Sequence, residues 1–386
     1  MFRANPQRTG VYQTSSLRQF NQVKWTLQVA MPSVYRDACP AIADGVICVG
    51  SSQGSFYAID AEAGYVKWTF NLEGRTIGSP TIADGVVYVV GSNGIFYAIN
   101  LQTGFQQWQY KITEQLAYGE YYSPVVADGV VYVGCYNGYV YALATQTGQQ
   151  LWVFETTGEQ LTSALAIADG VLYVGSSCGR ISAIALDTRQ QKWSVQVPLS
   201  VALSGPFLPV VTDRVVYGSA NAQGLIALDI QTGEQIWIFE PGSENSLPWT
   251  LLTRPAVAEG IICVGSSNKK VYALEALTGR SLWVFSTGGE SMPSAPVIAD
   301  GIVYIGTLNI FWALELQTGN LLWTFKPPEP TLRLTEPKEW IFVVGRWAAK
   351  RIWGYSFAKV CPPAIADGVV YVEACEDSYT ILCALQ

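Results

Sequence analysis

The sequence of 386 residues contains no histidine, and only 14% of its residues are charged. Histidine is the usual general acid or base near neutral pH and the commonest metal ligand in proteins. Its absence excludes Ser-His-Asp and Cys-His nucleophilic triads and histidine zinc sites. Any catalysis by this chain must therefore use carboxylates, lysine, arginine, tyrosine, cysteine or a cofactor.

Other features are scarce or missing as well. No apolar run approaches the length of about 18 residues that a transmembrane helix needs. The start, MFRANPQRTGVY, lacks the apolar core of a signal peptide. The eight cysteines include no adjacent pair and no CxxC pair, which favours reduced thiols. The formal net charge of −7 argues against binding to nucleic acids or anionic membranes.

From these bounds we expect a cytoplasmic monomer that inserts into no membrane and binds no nucleic acid, metal or cofactor. The periplasm is the alternative location, if a leader has been removed. The apolar content of 49% is ample for a folded core.

A repeat of about 43 residues, of the kind that builds repeat architectures, dominates the chain. The segments 41–70, 81–110 and 125–154 are close copies, and further copies begin at 165, 209, 256, 297 and 364. Each of the eight copies has an acidic residue at one turn: Asp44, Asp84, Asp128, Asp169, Asp213, Glu259, Asp300 and Asp367. Seven copies continue to a tryptophan: Trp68, Trp108, Trp152, Trp193, Trp237, Trp283 and Trp323.

Each copy is predicted to contain four β-strands, which we call A to D. The segments VVYVG and VYAL alternate and are rich in β-branched and aromatic residues, as strands are. An Asp-Gly pair before VVYVG suits a tight hairpin, because glycine tolerates positive φ. A Thr-Gly pair before the tryptophan strand marks a second hairpin. Four antiparallel strands in this length correspond to one blade of a β-propeller.

The two ends of the chain predict how the ring closes. The eighth copy stops at Gln386 in strand C, while residues 22–27 (QVKWTL) match residues 65–70 (YVKWTF) without strands before them. Trp25 is therefore expected to lie in strand D of the last blade, which removes an exposed sheet edge. An open solenoid would leave this complementary truncation unexplained.

The fold class predicted is all-β, a closed eight-bladed β-propeller of four-stranded antiparallel blades in a single domain, 1–386. Its parts are the closing strand 21–30, blades 1 to 7 in 31–325, an insertion 326–361, and the rest of blade 8 in 362–386.

The pattern ADGxVYVGSxxGxxYALDxxTGxxxW resembles the tryptophan-docking repeat of the pyrroloquinoline-quinone (PQQ) propeller family. It is similar to the repeats of quinoprotein and BamB-type propellers over residues 21–386. The resemblance implies that the strand D tryptophans pack between blades. It says little about function, because the defining residues are structural. Quinoprotein dehydrogenases typically use a vicinal disulfide and a calcium site, and this sequence has no Cys-Cys pair.

The insertion 326–361 departs most from the repeat. It holds seven basic residues against three acidic ones, a net charge of +4, so the rest of the chain carries −11. Aromatic residues interleave with the cations, which suits an anionic or aromatic ligand or an acidic peptide. In a propeller the D–A connections share one rim with the B–C connections. The predicted ligand-binding residues on these connections are Trp249, Arg346, Trp347, Arg351, Trp353, Tyr355 and Lys359. The alternative is a lid that buries its own aromatic side chains.

The stretches just before each strand A are expected to line the channel mouth at the same rim. Residues there that depart from the repeat are Arg36, Asp37, Arg75, Glu120, Tyr121, Tyr122, Glu159, Arg254 and Glu290. Charges gathered around a channel mouth form a candidate site, although a solvated ring of charges is the alternative. Cys39 and Cys361 are expected at equivalent strand A positions, and whether they pair stays open.

These features favour a binding platform for a protein, a peptide or a small aromatic or anionic ligand. The alternative is a cofactor-independent enzyme of the cyclase, lyase or isomerase type, with Glu120, Glu159 or Glu290 as the base. A PQQ-dependent dehydrogenase is the least favoured function.

Overall fold

The computed structural model describes most of the chain. The described residues are 5–29, 39–51, 54–74, 76–112, 123–135, 138–156, 161–176, 179–197, 208–220, 224–242, 252–288, 293–307, 310–327, 362–376 and 379–386. They form strands β1 to β33 in eight sheets and no helix. None of these stretches therefore contains a helix that could cross a membrane.

The sheets are eight blades, numbered along the chain. The N-terminal region contributes β1 Val11–Tyr12 and β2 Val23–Val29. The strands of blades 1 to 4 are β3 Ala41–Ala43, β4 Val46–Gly50, β5 Ser55–Asp60, β6 Val66–Asn71, β7 Thr76–Ala83, β8 Val86–Gly91, β9 Ile95–Asn100, β10 Gln106–Lys111, β11 Val125–Ala127, β12 Val130–Gly134, β13 Tyr139–Ala144, β14 Gln150–Glu155, β15 Leu161–Ala168, β16 Val171–Ser176, β17 Arg180–Ala185 and β18 Gln191–Gln196. Those of blades 5 to 8 are β19 Val210–Val211, β20 Val215–Ala220, β21 Gly224–Asp229, β22 Gln235–Phe239, β23 Ala256–Ala258, β24 Ile261–Gly265, β25 Lys270–Glu275, β26 Ser281–Ser286, β27 Val297–Ala299, β28 Ile302–Gly306, β29 Phe311–Glu315, β30 Leu321–Phe325, β31 Ala364–Ala366, β32 Val369–Glu376 and β33 Tyr379–Leu385.

Each blade has the predicted antiparallel order A-B-C-D. The first strands of neighbouring blades contact one another, as β3 contacts β7 and β31, which places strand A on the central channel. The A–B hairpin closes as its sequence predicts: in blade 1, Asp44 and Gly45 have φ values of 48° and 70°. Two residues with positive φ form the turn whose twist matches the flanking strands. The eight-bladed propeller is thus confirmed.

Ring closure in blade 8 is also confirmed. The order β2-β33-β32-β31 makes β2 the outer strand, with Trp25 opposite Ala384. The amides of Asn21 and Gln22 both donate to the carbonyl of Gln386 at 3.0 Å. The N-terminal strand therefore supplies the hydrogen bonds that a C–D hairpin supplies in the other blades.

The hydrophobic core consists of eight clusters, one between each pair of neighbouring blades. The cluster between blades 8 and 1 joins Tyr371 to Ile47, so the core continues across the seam of the ring. Trp312 of strand C is 5% exposed in the cluster between blades 6 and 7. Because each blade is covered by two others, stability depends on the ring being complete.

The strand D tryptophans bridge these interfaces. The indole N–H of Trp108 in blade 2 donates to the carbonyl of Thr145 in blade 3 at 2.7 Å. A Cβ added to Gly148 of that turn would lie 2.6 Å from the Trp108 ring, so the ring packs directly on the glycine. Equivalent indole bonds are made by Trp25, Trp68, Trp193, Trp237, Trp283 and Trp323.

The Trp323 bond has an unusual acceptor. In the other blades the carbonyl follows strand C, but Trp323 donates to the carbonyl of Leu17 at 2.7 Å. The hydroxyl of Tyr304 also donates to this carbonyl and accepts from the Leu17 amide. Leu17 is 7% exposed in the cluster between blades 7 and 8. Residues before the closing strand therefore complete this interface.

Gly224→Ala is expected to destabilise the fold by about 3 kcal/mol through steric overlap and backbone strain. Gly224 has φ +105°, and its added Cβ would overlap the carbonyl oxygen of Phe239, a backbone atom of the paired strand β22 that cannot move without disturbing the sheet. Gly170→Ala is the matched control, since Gly170 has φ +69° with nothing within 4 Å of its added Cβ. Denaturant midpoints measure both effects, and equal losses in the two variants would contradict the steric argument.

Candidate functional site

Of the predicted site residues, the structure describes only Arg254. It precedes β23 by two residues and is half-buried at the inner end of blade 6. The others lie outside the described residues: Arg36, Asp37, Arg75, Glu120, Tyr121, Tyr122, Glu159, Trp249, Glu290, Arg346, Trp347, Arg351, Trp353, Tyr355 and Lys359. The described part of the candidate site is therefore the wall of the channel.

The two kinds of hairpin share one rim, as expected. The side chain of Gln317 in the C–D turn of blade 7 donates to Glu259 in the A–B turn of blade 6 at 3.0 Å. Gln102 in blade 2 reaches the carbonyl of Asp44 in blade 1 in the same way. We call this the hairpin rim, and the opposite one, which carries the D–A and B–C connections, the loop rim.

The N-terminal arm, residues 5–17, lies inside the channel near the hairpin rim. Carbonyls of the arm accept hydrogen bonds of 2.8–2.9 Å from the amides of Ile167, Val211, Val257 and Ile298. Each of these amides lies two residues before the turn acid of its blade, in blades 4 to 7. The arm thus pairs with the free edges of four innermost strands at one level, and β1 extends this as a parallel pair with β27.

Arg8 of the arm is buried in the channel. It is 4% exposed and has φ 61°. Its guanidinium donates to the carbonyls of Ser123 and Pro124 in blade 3 and of Leu165 in blade 4, at 2.7–3.0 Å. Burying a cation is costly unless its donors are satisfied, and these carbonyls satisfy three of the bonds. The side chain therefore anchors the arm and places a positive charge inside the channel.

Sequence reasoning did not single out Arg8. It stands in a polar segment outside the repeat, and its importance depends on where that segment lies in the ring. The only sequence feature that could have pointed to Arg8 is its position shortly before the segment 22–27, which is predicted to close the ring.

A belt of hydrogen bonds links blades 1 to 3 nearer the loop rim. The amide of Cys39 donates to the hydroxyl of Ser79 at 2.8 Å, and the amide of Ser79 donates to the hydroxyl of Ser123 at 3.1 Å. Strand register places Arg254 at the equivalent position of blade 6, since each of these residues precedes by two the strand A residue that pairs with the tyrosine or cysteine of strand B. Arg254 therefore belongs to the inner wall of the channel, and its role in ligand binding stays a prediction.

The predicted equivalence of Cys39 and Cys361 is wrong by one residue. Ala41 pairs with Cys48 and Ala364 pairs with Tyr371 at matching points of the A–B hairpins. Cys39 therefore corresponds to residue 362, a proline, and the extra proline in blade 8 shifted the alignment. Cys39 itself is a free, buried cysteine, whereas Cys361 lies outside the described residues.

A cavity of about 350 Å³ lies at the hairpin rim, beside the arm. Its lining comes from Tyr12–Thr14 of the arm and from the A–B hairpins of blades 1 and 8, including Asp44 and Asp367. Both aspartates are exposed. Among the described residues, no three or more cysteine, aspartate or glutamate side chains are grouped so as to hold a metal ion.

The strongest pKa shifts belong to the scaffold. Burial raises the pKa of Tyr88, Tyr132, Tyr217, Tyr304 and Tyr371 in strand B to about 12. Burial also raises the pKa of the Cys48 and Cys263 thiols, which take this strand position in blades 1 and 6. These groups keep their protons at neutral pH, so they act as buried donors and packing groups.

The model of the family described as outer membrane protein assembly factor BamB matches residues 16–239, 116–324 and 243–351. Among curated proteins, the outer membrane protein assembly factor BamB of Xanthomonas campestris pv. campestris is 36% identical over 62 residues. That match covers 15% of this chain and 15% of the relative, so the chain aligns with only a small part of its length.

Solved structures share the fold over nearly the whole chain. BamB from Moraxella catarrhalis superposes with a TM-score of 0.67 at 17% identity, covering 95% of this chain and 99% of that one. A europium-containing methanol dehydrogenase gives a TM-score of 0.72 at 14% identity, covering 100% and 97%. Quinohemoprotein alcohol dehydrogenase from Comamonas testosteroni gives 0.71 at 13% identity, covering 100% and 80%. At these identities the likeness shows the fold alone.

Proposed function

We propose that this chain, which belongs to the family of outer membrane protein assembly factor BamB, is a rigid platform that binds a protein partner. The family membership is the observation that carries the proposal. The partner that the family name supports is a protein engaged in the assembly of outer-membrane proteins. That name also favours the periplasmic alternative, while the cytoplasmic location stays a prediction from sequence.

The loop rim is the proposed binding surface. The hairpin end of the channel is occupied by the N-terminal arm, so a partner that enters the channel has the loop rim as its approach. Arg254 places a cation on the inner wall, and the buried Arg8 adds a positive charge inside the channel, which supports a partner or ligand with acidic groups. The insertion 326–361, with its net charge of +4, is proposed to extend this contact through Trp347 and Trp353.

A photo-crosslinking amino acid at position 347 or 353 tests the proposal. We expect each variant to yield one discrete protein adduct when it is irradiated in cells that contain its partners. Matched variants carry the crosslinker at Thr103 and Thr318, exposed residues of C–D turns on the hairpin rim, and are expected to yield none.

Two outcomes would contradict the proposal that the loop rim binds a protein partner. Equal adducts from all four positions would place the contact elsewhere. A small-molecule adduct at 347 and 353 without any protein adduct would favour the cofactor-independent enzyme instead.

A further inference from the structure

The N-terminal arm pairs with the innermost strands of blades 4 to 7, and the other four blades keep the same backbone groups free. In each blade the residue two positions before the turn acid corresponds to Ile167, whose amide donates to the arm. Its equivalents in blades 8, 1, 2 and 3 are Ile365, Ile42, Ile82 and Val126. Within the described residues, none of these four amides has a hydrogen-bond acceptor.

The geometry of the A–B hairpin directs these amides towards the channel. Ala43 and Val46 flank the two-residue turn of blade 1 and form its hydrogen-bonded pair. Hydrogen-bonded and non-hydrogen-bonded pairs alternate along an antiparallel ladder, so the N–H and C=O of Ile42 point away from β4 and into the channel. Ile167 has the same position in blade 4, where the arm uses it. The edge of blade 1 therefore offers the groups that hold an extended chain in blades 4 to 7.

The cavity at the hairpin rim lies along two of these free edges. Ile42 and Ile365 line it, next to Gln13 and Thr14 of the arm. Seven of the eight equivalent residues are buried, whereas Ile42 is half-buried. The volume of about 350 Å³ lies at the lower end of the range for ligand pockets. The arm advances one or two residues from each blade to the next, so crossing two blades requires only two or three residues of a bound chain.

We propose that this cavity binds an extended segment of a partner protein, which pairs with the strand A edges of blades 8 and 1 and places a basic side chain beside Asp44 and Asp367. Main-chain hydrogen bonds give such strand addition its affinity, and side chains give it specificity. The arm selects this occupant, because it shows on four blades of the same ring what the edge binds: an extended polypeptide whose carbonyls accept from the strand A amides. The segment lies on the channel side of the hairpin rim, whereas Thr103 and Thr318 lie in C–D turns further from the channel.

Charge selects the side chain of the bound segment. Asp44 and Asp367 line the cavity and are exposed, and neither makes an ion pair within the described residues. In blade 7, by contrast, the turn acid Asp300 accepts a hydrogen bond from Ser16 at 3.1 Å and pairs with Arg18 at 3.8 Å. A lysine or arginine of the segment would give the turn acids of blades 8 and 1 the partner that Arg18 gives Asp300.

Fluorescence polarisation of a labelled peptide, Gly-Val-Arg-Val-Gly, with the full chain tests the charge contact. The first two residues copy Gly10 and Val11 of the arm. We expect saturable binding that weakens about fivefold when both Asp44→Asn and Asp367→Asn are present, or when the peptide carries glutamine in place of arginine. Asparagine tolerates the positive φ of 48° at both positions, so the turns should be kept. Asp84→Asn, at the same turn position of blade 2 outside the cavity, is the matched control and should bind as the wild type does.

Ile42→Pro tests the backbone contact. Proline removes the free amide donor and is tolerated on an edge strand whose N–H faces away from the sheet, so the circular dichroism of the ring should be kept while binding weakens about tenfold. Absence of saturable binding to the wild type would overturn the proposal, and so would equal binding by the wild type and the double asparagine variant. Binding of L-argininamide as tightly as the peptide would assign the cavity to a small cation and overturn strand addition. These results are independent of the loop rim, which is tested at positions 347 and 353.

Discussion

Unfolding of the ring between pH 10 and pH 12 is the expected result of raising the pH. The buried strand B tyrosines have pKa values raised from the ordinary 10 to about 12 in five blades, and burial raises the pKa of Tyr173 as well. Below pH 10 both the folded and the unfolded chain hold these protons, so stability is fully present. Above pH 10 the unfolded chain releases them while the folded chain retains them, so stability falls as pH rises towards 12.

The expected loss of stability is large because a buried tyrosine occupies the same strand B position in six blades. Each such group contributes about 1.4 kcal/mol of destabilisation for every pH unit in this window. Six phenols therefore remove about 8 kcal/mol per pH unit, comparable with the whole stability of an ordinary domain. The transition should be cooperative, with tyrosinate absorbance and loss of the sheet circular dichroism signal appearing together.

Tyr217→Phe is the informative variant for this transition. It loses the hydrogen bond from the Tyr217 hydroxyl to the carbonyl of Ala276, which costs about 1 kcal/mol at neutral pH. It also has one ionisation fewer, so its stability should fall less steeply with pH than that of the wild type. Independent titration of the phenols near pH 10, with the sheet signal unchanged, would contradict the prediction.

Removal of residues 1–29 is expected to abolish the cooperative fold. The deletion exposes the outer edge of β33, removes Trp25 from the interface between blades 8 and 1, and removes the Leu17 carbonyl that Trp323 binds. It also removes Arg8 from the channel. An uncovered edge strand with apolar neighbours favours aggregation. Size-exclusion chromatography and thermal unfolding should show an aggregating chain without a single transition.

Adding the missing segment as a separate peptide tests whether the truncated chain fails because the ring cannot close or because the chain is merely shorter. A synthetic peptide of residues 5–29, added during refolding, should restore the transition, because the contacts it makes are non-covalent. A peptide of the same composition in scrambled order is the matched control and should not restore it. An unchanged melting temperature in the truncated chain would show that the closing strand is dispensable.

The fold could be predicted from sequence because its information is repeated eight times. Each Asp-Gly turn and each strand D tryptophan fixes one blade boundary, and the unmatched QVKWTL segment fixes the seam. The shift at Cys361 arose where this periodicity fails, at the prolines that begin blade 8. The extra proline occurs in blade 8 alone, so comparison with the other repeats does not show where the alignment should shift.

The candidate site was only partly accessible to the same reasoning. Arg254 stands out because small or neutral residues occupy its position in other blades, and the structure places it on the inner wall. Arg8 lies outside the repeat, so no equivalent residue in another blade marks it as unusual. Its role follows from the path of the N-terminal arm across four blades, which tertiary packing sets and local sequence does not.

The seam also determines how the ring bears tension. Strands β2 and β33 are antiparallel, and Asn21 and Gln386 lie at the same end of the pair. A force that pulls these two residues apart would break the hydrogen bonds between β2 and β33 one after another. A pair of strands resists force least in this direction. A pull applied further back, at residue 5, must first separate the arm from blades 4 to 7 in turn and draw the guanidinium of Arg8 out of the channel. A force applied at residue 5 therefore reaches the hydrogen bonds between β2 and β33 only after the arm has detached from the channel.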